Sequence, residues 1–353
     1  MRSGQEDQAL TPRQFHLLIT PTFFQKCQEY GLFGVSERNM NQLANVRKGD
    51  IAFFYTTERR GDRTVGLIYG PYEVISPLFY NDTLVWTPSI EPIPKVDKYP
   101  YRIKFQPLQE HTCRDPVPIQ ALWDIKQEEK IRSIIDSSAL TNKAVCTLLP
   151  QEGILLLQTL LQANQIPIKD TSKKPGHAFK EEKIDLLKFK GKTSAEFPME
   201  SYMETYLLLN EEKLHQMSGF KEWNRSIYRA QIFNQVSTFI AGGAIDIVVL
   251  YEKKVLDIWI TLNATVFELK KGPLIPENVD HLVEYIEWGA RLLPGAKKEM
   301  IKGRLVGREL GNSLDRKQDL INRLSQVQKF YSVEAFQYRP SSRQDDVIFE
   351  QIA

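Results

Sequence analysis

The chain has 353 residues, 42% apolar and 25% charged, which is the composition of a folded globular protein and excludes a disordered or fibrous one. Its 46 basic and 44 acidic residues leave a net charge of +2, so no global field marks a polyanion partner and any such site must be local. Cys27, Cys113 and Cys146 form no CxxC pair and the five histidines form no HExxH array, which excludes a disulfide scaffold and an all-cysteine zinc site and argues against a zinc hydrolase.

No apolar run reaches the roughly 18 residues a membrane span needs, and the first 20 residues lack a signal-peptide core. The expectation is a cytoplasmic protein without membrane contact, and the length fits two domains.

Regular structure is expected from Phe15, where Phe15, Leu17 and Ile19 begin a mostly apolar strand. Residues 21–30 suit a short helix stopped by Gly31, and Ser36 suits a second helix start. Lys48-Gly49-Asp50 reads as a turn before an apolar strand at 51–55. Arg59-Arg60-Gly61-Asp62 reads as a hairpin tip, followed by strands at 65–69 and 72–75 broken at Gly70-Pro71, and by an alternating strand at 101–105. Residues 117–163 add helical material, including the run 154–161, which is apolar all round and therefore expected to be buried. The sum is a small, curved, mainly β domain with helices at its edge.

Residues 165–195 carry eight lysines against four acids and are read as a linker between domains 13–164 and 196–353. Such a linker is either simply solvated or also touches phosphates. The second domain opens with helical spacing at 199–214, continues with strands at 228–233, 244–251, 255–261 and 265–269, and reaches a helix at 277–293. This order describes a mixed α/β layer.

Asp246 interrupts an apolar strand, and Glu268 and Lys270 share one face of another because the side-chain period of a strand is two. A carboxylate in such surroundings requires a partner or an open cleft. A hard cation such as Mg2+ (or Mn2+) meets that need with one or two carboxylates. Lys270 could then orient a water or offset charge at a phosphate. The other reading is an edge-strand ion pair, Glu268–Lys270, beside a turn acid. Glu204, on the opening helix among apolar neighbours, is either a third carboxylate of the site or a solvated helix residue.

These residues carry a resemblance. Glu204-Thr205-Tyr206-Leu207-Leu208-Leu209-Asn210, Gly243-Ala244-Ile245-Asp246 and Phe267-Glu268-Leu269-Lys270-Lys271-Gly272 resemble the helix, aspartate and E-x-K motifs of the PD-(D/E)xK nuclease superfamily, especially its NucS/DUF91 branch. The resemblance implies a restriction-endonuclease-like α/β domain in which Asp246 and Glu268 bind the metal, Lys270 assists the attacking water, Glu204 supports the site and the substrate is DNA. Where the branch often carries glutamine, in a Gln-Leu-x-x-Tyr setting, this chain has His281, which can hydrogen-bond a phosphate or a water. The stretch around Lys253 and Lys254 is an extra strand pair near the substrate or a plain β-extension.

Residues 14–163 resemble an EVE domain of the PUA/YTH-like group through Gly31-Leu32-Phe33-Gly34-Val35-Ser36-Glu37-Arg38-Asn39, the stretch 46–55, Gly66-Leu67-Ile68-Tyr69-Gly70 and the stretch 99–105. This resemblance implies a PUA-like curved β-barrel that reads a flipped, modified base, with Phe33, Ser36, Asn39, Phe79 and Trp86 as pocket residues. Arg38, Arg59, Arg60 and Arg63 are candidate phosphate contacts. The combined expectation is a modification-dependent DNA endonuclease. Its alternatives are a nucleic-acid-binding protein without effective catalysis and an RNA-processing nuclease. The tail at 312–353, where Leu320, Ile321, Leu324 and Val327 recur at helical spacing, is either an ordinary packed helix, the stronger reading, or an element of a homodimer.

Overall fold

The computed structural model describes residues 13–20, 23–86, 99–108, 111, 113–128, 143–164, 179–190, 194–219, 227–237, 244–256, 258–292, 297–308, 314–341 and 346–352. Two compact units divide between Asp185 and Leu186. Of the lysine-rich stretch, residues 165–178 lie outside the described residues. Residues 179–185 belong to the first unit, where Glu182 bridges Tyr80 and the Lys180 carbonyl accepts from Asn81 Nδ2 at 2.9 Å.

The first unit contains β1 (Phe15–Ile19), α1 (Phe24–Tyr30), β2 (Leu32–Val35), a 3-10 turn (Glu37–Asn39) and α2 (Met40–Ala44), then β3 (Ile51–Arg60), β4 (Arg63–Val74), β5 (Phe79–Tyr80) and β6 (Tyr101–Pro107). It closes with β7 (Val117–Pro118), α3 (Ile119–Glu128), β8 (Val145–Leu148) and α4 (Pro150–Ala163). The strands form a curved sheet in the order β2-β6-β4-β3-β1-β8, with β5 beside β6 and β7 beside β4. Only the β1–β3 pairing among these is parallel.

Alternation along β3 explains why this sheet has two cores. Phe53 enters an aliphatic core with Leu17, Ile68, Leu156 and Leu160. Its neighbour Phe54 points the other way, into rings of Phe105 at 4.7 Å, Tyr72 at 5.2 Å and Phe24 at 5.4 Å. Both faces of the strand are covered, so it reads as a continuous apolar run.

Two expectations for this unit are corrected. β4 continues through Gly70 and Pro71 instead of breaking, absorbing them in a register shift opposite Ala52 and Phe54. The helical material expected at 117–163 is present as α3 and α4, beside the short strands β7 and β8. The run 154–161 is not buried all round: Ile154 is 48% exposed while Leu156 and Leu160 are fully buried.

The second unit contains β9 (Lys188–Lys190), β10 (Ser194–Glu196), α5 (Glu200–Leu209), α6 (Glu211–Met217), β11 (Tyr228–Ser237), β12 (Ala244–Val255) and β13 (Ile258–Pro273). α7 (Pro276–Leu292), β14 (Ile301–Arg308), α8 (Leu314–Val327), β15 (Ser332–Pro340) and β16 (Val347–Gln351) follow. Its main sheet has the order β11-β12-β13-β14-β15-β16. β11, β12 and β13 form an antiparallel meander; α7 and α8 are the crossovers that make β13, β14 and β15 parallel, and β16 returns antiparallel.

The helix expected at 199–214 is two helices, interrupted at Asn210, whose side chain donates to the Tyr206 carbonyl at 2.7 Å. The strands expected at 255–261 and 265–269 are one, β13. With β12 it runs just beyond the last β11 pair, Tyr228–Lys253, leaving Leu256 at its tip 93% exposed and Ile258 65% exposed.

Of the two readings of the tail, the packed helix is the one seen, and the tail completes this unit. Leu320 and Leu324 on α8 are fully buried in its core, and β15 and β16 extend its sheet. Truncation of Leu324→Ala should therefore cost about 2–5 kcal/mol in urea unfolding without changing the molecular mass in solution; a stability unchanged by the substitution would contradict this packing.

Candidate functional site

In the first unit a cavity of about 150 Å³ is lined by Thr20, Cys27, Phe33, Ser36, Asn39, Trp86 and Tyr99, among others. A cavity of that volume accommodates one six-membered aromatic ring. Phe33 reaches it from β2 while remaining part of the aromatic core, 5.9 Å from Phe54. Trp86 and Tyr99 meet edge to face at 5.8 Å. Gly34 permits this wall: a Cβ there would stand 2.6 Å from the Trp86 ring and 2.7 Å from the Tyr99 carbonyl.

Arg102 holds the wall in place. Fully buried, its guanidinium donates to Asn81 Oδ1 at 2.6 Å, to the Thr83 carbonyl at 2.5 Å and to the Tyr99 carbonyl at 3.0 Å, and lies 4.8 Å from the Trp86 ring centre. Burial lowers its pKa to about 10 against the opposing influence of Asp82 and Tyr80. Cys27 is pushed up to about 12 by burial, despite hydrogen bonds with Trp86 and Thr20, so its thiol stays neutral at pH 7.

Ser36 begins the 3-10 turn but its hydroxyl makes no capping hydrogen bond, and Asn39 Oδ1 accepts from Gln42 at 3.4 Å. Four of the five expected pocket residues thus meet at one cavity. Phe79 does not line it: β5 sets Phe79 opposite Arg102 in the sheet, and its buried ring packs under Lys104 Nζ at 5.4 Å. Arg38 is exposed on the turn between Ser36 and Asn39. Arg59 and Arg63 are exposed at the β3–β4 hairpin tip, where Arg59 Nε donates to the Gly61 carbonyl at 3.3 Å; the Arg60 side chain lies outside the described residues.

In the second unit the meander register gathers the acids. Asn234 pairs with Ile247 and Val236 with Ile245, so Gln235 lies opposite Asp246. The β12–β13 ladder reaches Ile247 and Phe267, and one step further along this register sets Asp246 opposite Glu268. Residues opposite one another in an antiparallel pair share a face. Beyond the ladder, Asp246 Oδ2 accepts from the Leu269 backbone N–H at 2.7 Å, and Glu268 Oε1 lies 2.8 Å from Lys270 Nζ.

Burial, then Glu204 and Glu268, push the Asp246 carboxyl well above the ordinary carboxylate range. Burial also raises Glu268, against the opposing charges of Lys270 and His281. Burial disfavours the Lys270 ammonium, but Glu268, Glu200 and Asp246 outweigh it and raise its pKa. Glu204 is buried on α5 and accepts from Asn234 Nδ2 at 3.2 Å and Gln235 Nε2 at 2.8 Å. His281 is exposed on α7, 3.8 Å from Glu284. Gly243 lies outside the described residues. Among the described residues, no three His, Cys, Asp or Glu side chains stand close enough to hold one ion together.

Several site residues had no sequence signal. Gln235 and Asn234 sit in an ordinary strand, and Glu200, 3.9 Å from Lys270, looks like any first-turn acid. Tyr285, whose hydroxyl is raised by burial and by Glu268 and Asp246, was legible only as the helical neighbour of His281. Thr20, Cys27 and Tyr99 come from segments whose spacing gives no pocket pattern.

The chain matches no protein-family model and none of the curated proteins. Among solved structures it is similar to human THYN1 protein in complex with 5-methylcytosine-containing DNA, at 15% identity over 41% of this chain and 96% of that chain, with a TM-score of 0.28. It is also similar to the DUF55 domain of human thymocyte nuclear protein 1, at 14% identity over 42% of this chain and 98% of that chain, again with a TM-score of 0.28.

A raised carboxyl pKa is a stability statement: the folded chain binds that proton more tightly than the unfolded one, so the contribution of Asp246 is favourable at low pH and is lost as pH rises through its folded pKa. Asp246→Asn keeps an acceptor for Leu269 and removes the charge. It should raise the thermal midpoint at pH 7 by about 2–4 °C, the shift produced by about 1 kcal/mol in a domain of this size. The gain should shrink as the pH is lowered and the parent takes up its proton; an equal gain at all pH values would contradict the assigned repulsion.

Proposed function

We propose that the protein binds nucleic acid through its first unit, taking one extruded base into the cavity beside Phe33 and Trp86. The observation that carries this reading is a ring-sized cavity with aromatic walls and with Ser36 and Asn39 beside them. Stacking favours any base, whereas hydroxyl and amide groups select by its edge. The resemblance of residues 14–163 to EVE domains supports a modified base as the ligand, and the resemblance of the second unit to PD-(D/E)xK nucleases supports DNA as its carrier. Exposed Arg38, next in sequence to the cavity residues, would meet a phosphate.

Calorimetric titration with matched DNA and RNA oligonucleotides, unmodified or carrying 5-methylcytosine and other altered bases, tests this. A preference for one altered base should appear, and Trp86→Ala should weaken that binding about 5- to 150-fold, the worth of one stacked base. Equal affinity for all oligonucleotides, unmoved by Trp86→Ala, would overturn the reading.

A second reading, metal-dependent phosphodiester hydrolysis in the second unit, is favoured by the cross-strand placement of Asp246 and Glu268 with Lys270 alongside. The donor set fits Mg2+ or Mn2+, which take one or two carboxylates and complete their shell with water and phosphate oxygens. Such an ion supplies Lewis acidity and an acidified water. Asp246 and Glu268 would hold it, Lys270 would orient the attacking water or offset charge on the phosphate, and Glu204 would act through Asn234 and Gln235. Cleavage of the preferred oligonucleotide with Mg2+ should fall at least a hundredfold in Glu268→Ala. Absence of cleavage by the parent protein would leave the binding reading alone standing.

A further inference from the structure

Gln235 combines two features that the fold of the second unit does not require. Its φ is +50°, in the left-handed region that side-chain-bearing residues rarely adopt, near the end of strand β11, where its neighbours Asn234 and Val236 pair normally with β12. Its carboxamide Nε2 reaches both Glu204 Oε2 at 2.8 Å and Asp246 Oδ1 at 3.4 Å. Strain of this kind persists where surrounding structure over-determines it, and it concentrates at functional sites.

We propose that Gln235 is a positioning residue for cation binding at Asp246 and Glu268, its amide bridging the helix-borne and strand-borne carboxylates so that Asp246 is presented in one orientation. The inference rests on the second reading above. Asp246 is fixed from two sides: Oδ2 by the Leu269 N–H and Oδ1 by Gln235. Glu204 is held by the same β11 amides, its Oε1 accepting from Asn234 and its Oε2 from Gln235. Outer partners that orient metal-binding carboxylates typically contribute 10- to 100-fold to affinity.

The strained backbone makes the idea separable from a structural role. Glycine adopts positive φ freely, so Gln235→Gly removes the amide and relieves the strain together. Isothermal titration of the full chain with Mn2+ alone, beside thermal unfolding without metal, should show Gln235→Gly melting at or above the parent temperature while binding Mn2+ about tenfold more weakly. Gln235→Asn, which tolerates positive φ but is one methylene shorter, should fall in the same direction. Unchanged Mn2+ affinity in both variants would overturn the positioning role, as would weaker binding accompanied by a lower melting temperature. If Asp246→Ala binds Mn2+ as well as the parent, or the parent binds none, the metal reading fails and the inference falls with it.

Discussion

Asn234 faces Ile247 and Ile247 faces Phe267 across the meander, and this register determines what the second unit can do. A slip of one residue in either pairing would turn Asp246 or Glu268 to the opposite face and scatter the row. Held in place, the row concentrates negative charge where water is partly excluded, opposed by Lys270, His281, the Leu269 N–H and the amides of Asn234 and Gln235. Such an arrangement costs stability, a trade found at sites that serve chemistry. The break between α5 and α6 at Asn210 is firmly tied: Lys213 Nζ meets Asp346 Oδ2 at 2.7 Å and Tyr206 donates to the same carboxylate, which anchors the helix that bears Glu204.

In the first unit Arg102 has a comparable role for an aromatic surface. A buried guanidinium without partners costs several kcal/mol, on the order of other uncompensated ions. Here three oxygens from two segments satisfy it, so β6 fixes the backbone on both sides of the cavity wall. Lysine has the charge but not the planar fork, and could not make this set of contacts. The rigidity of Trp86 and Tyr99 thus originates in a strand residue that does not line the cavity.

The sequence was most legible where one local rule acted. Gly31 stops α1 in a left-handed conformation at φ +60°, Lys48-Gly49-Asp50 turns, and the stretch 101–105 alternates as a strand should. It was least legible where tertiary contacts overrode pattern. β14 carries Lys302 and Arg304, which obscure its strand character; Arg304 is nonetheless buried because its guanidinium caps α6 at the Met217 and Ser218 carbonyls. Phe79 has the residue type of a pocket wall, but β5 directs it into the sheet. The same strand period that made Glu268 and Lys270 legible as a pair gave no hint of Gln235, whose position depends on a backbone conformation that composition does not encode.

The ribbon of β12 and β13 also has colloidal consequences. Ile258, Ile260 and Leu262 alternate along its uncovered side, and Lys253 and Lys254 stand across from Ile260 and Trp259. Lys253 shares a face with Ile260, so its charge opposes face-to-face stacking of a second ribbon. Added salt shortens the reach of that repulsion while leaving the greasy surface as it was, so solubility is expected to decline with ionic strength well before folding is affected.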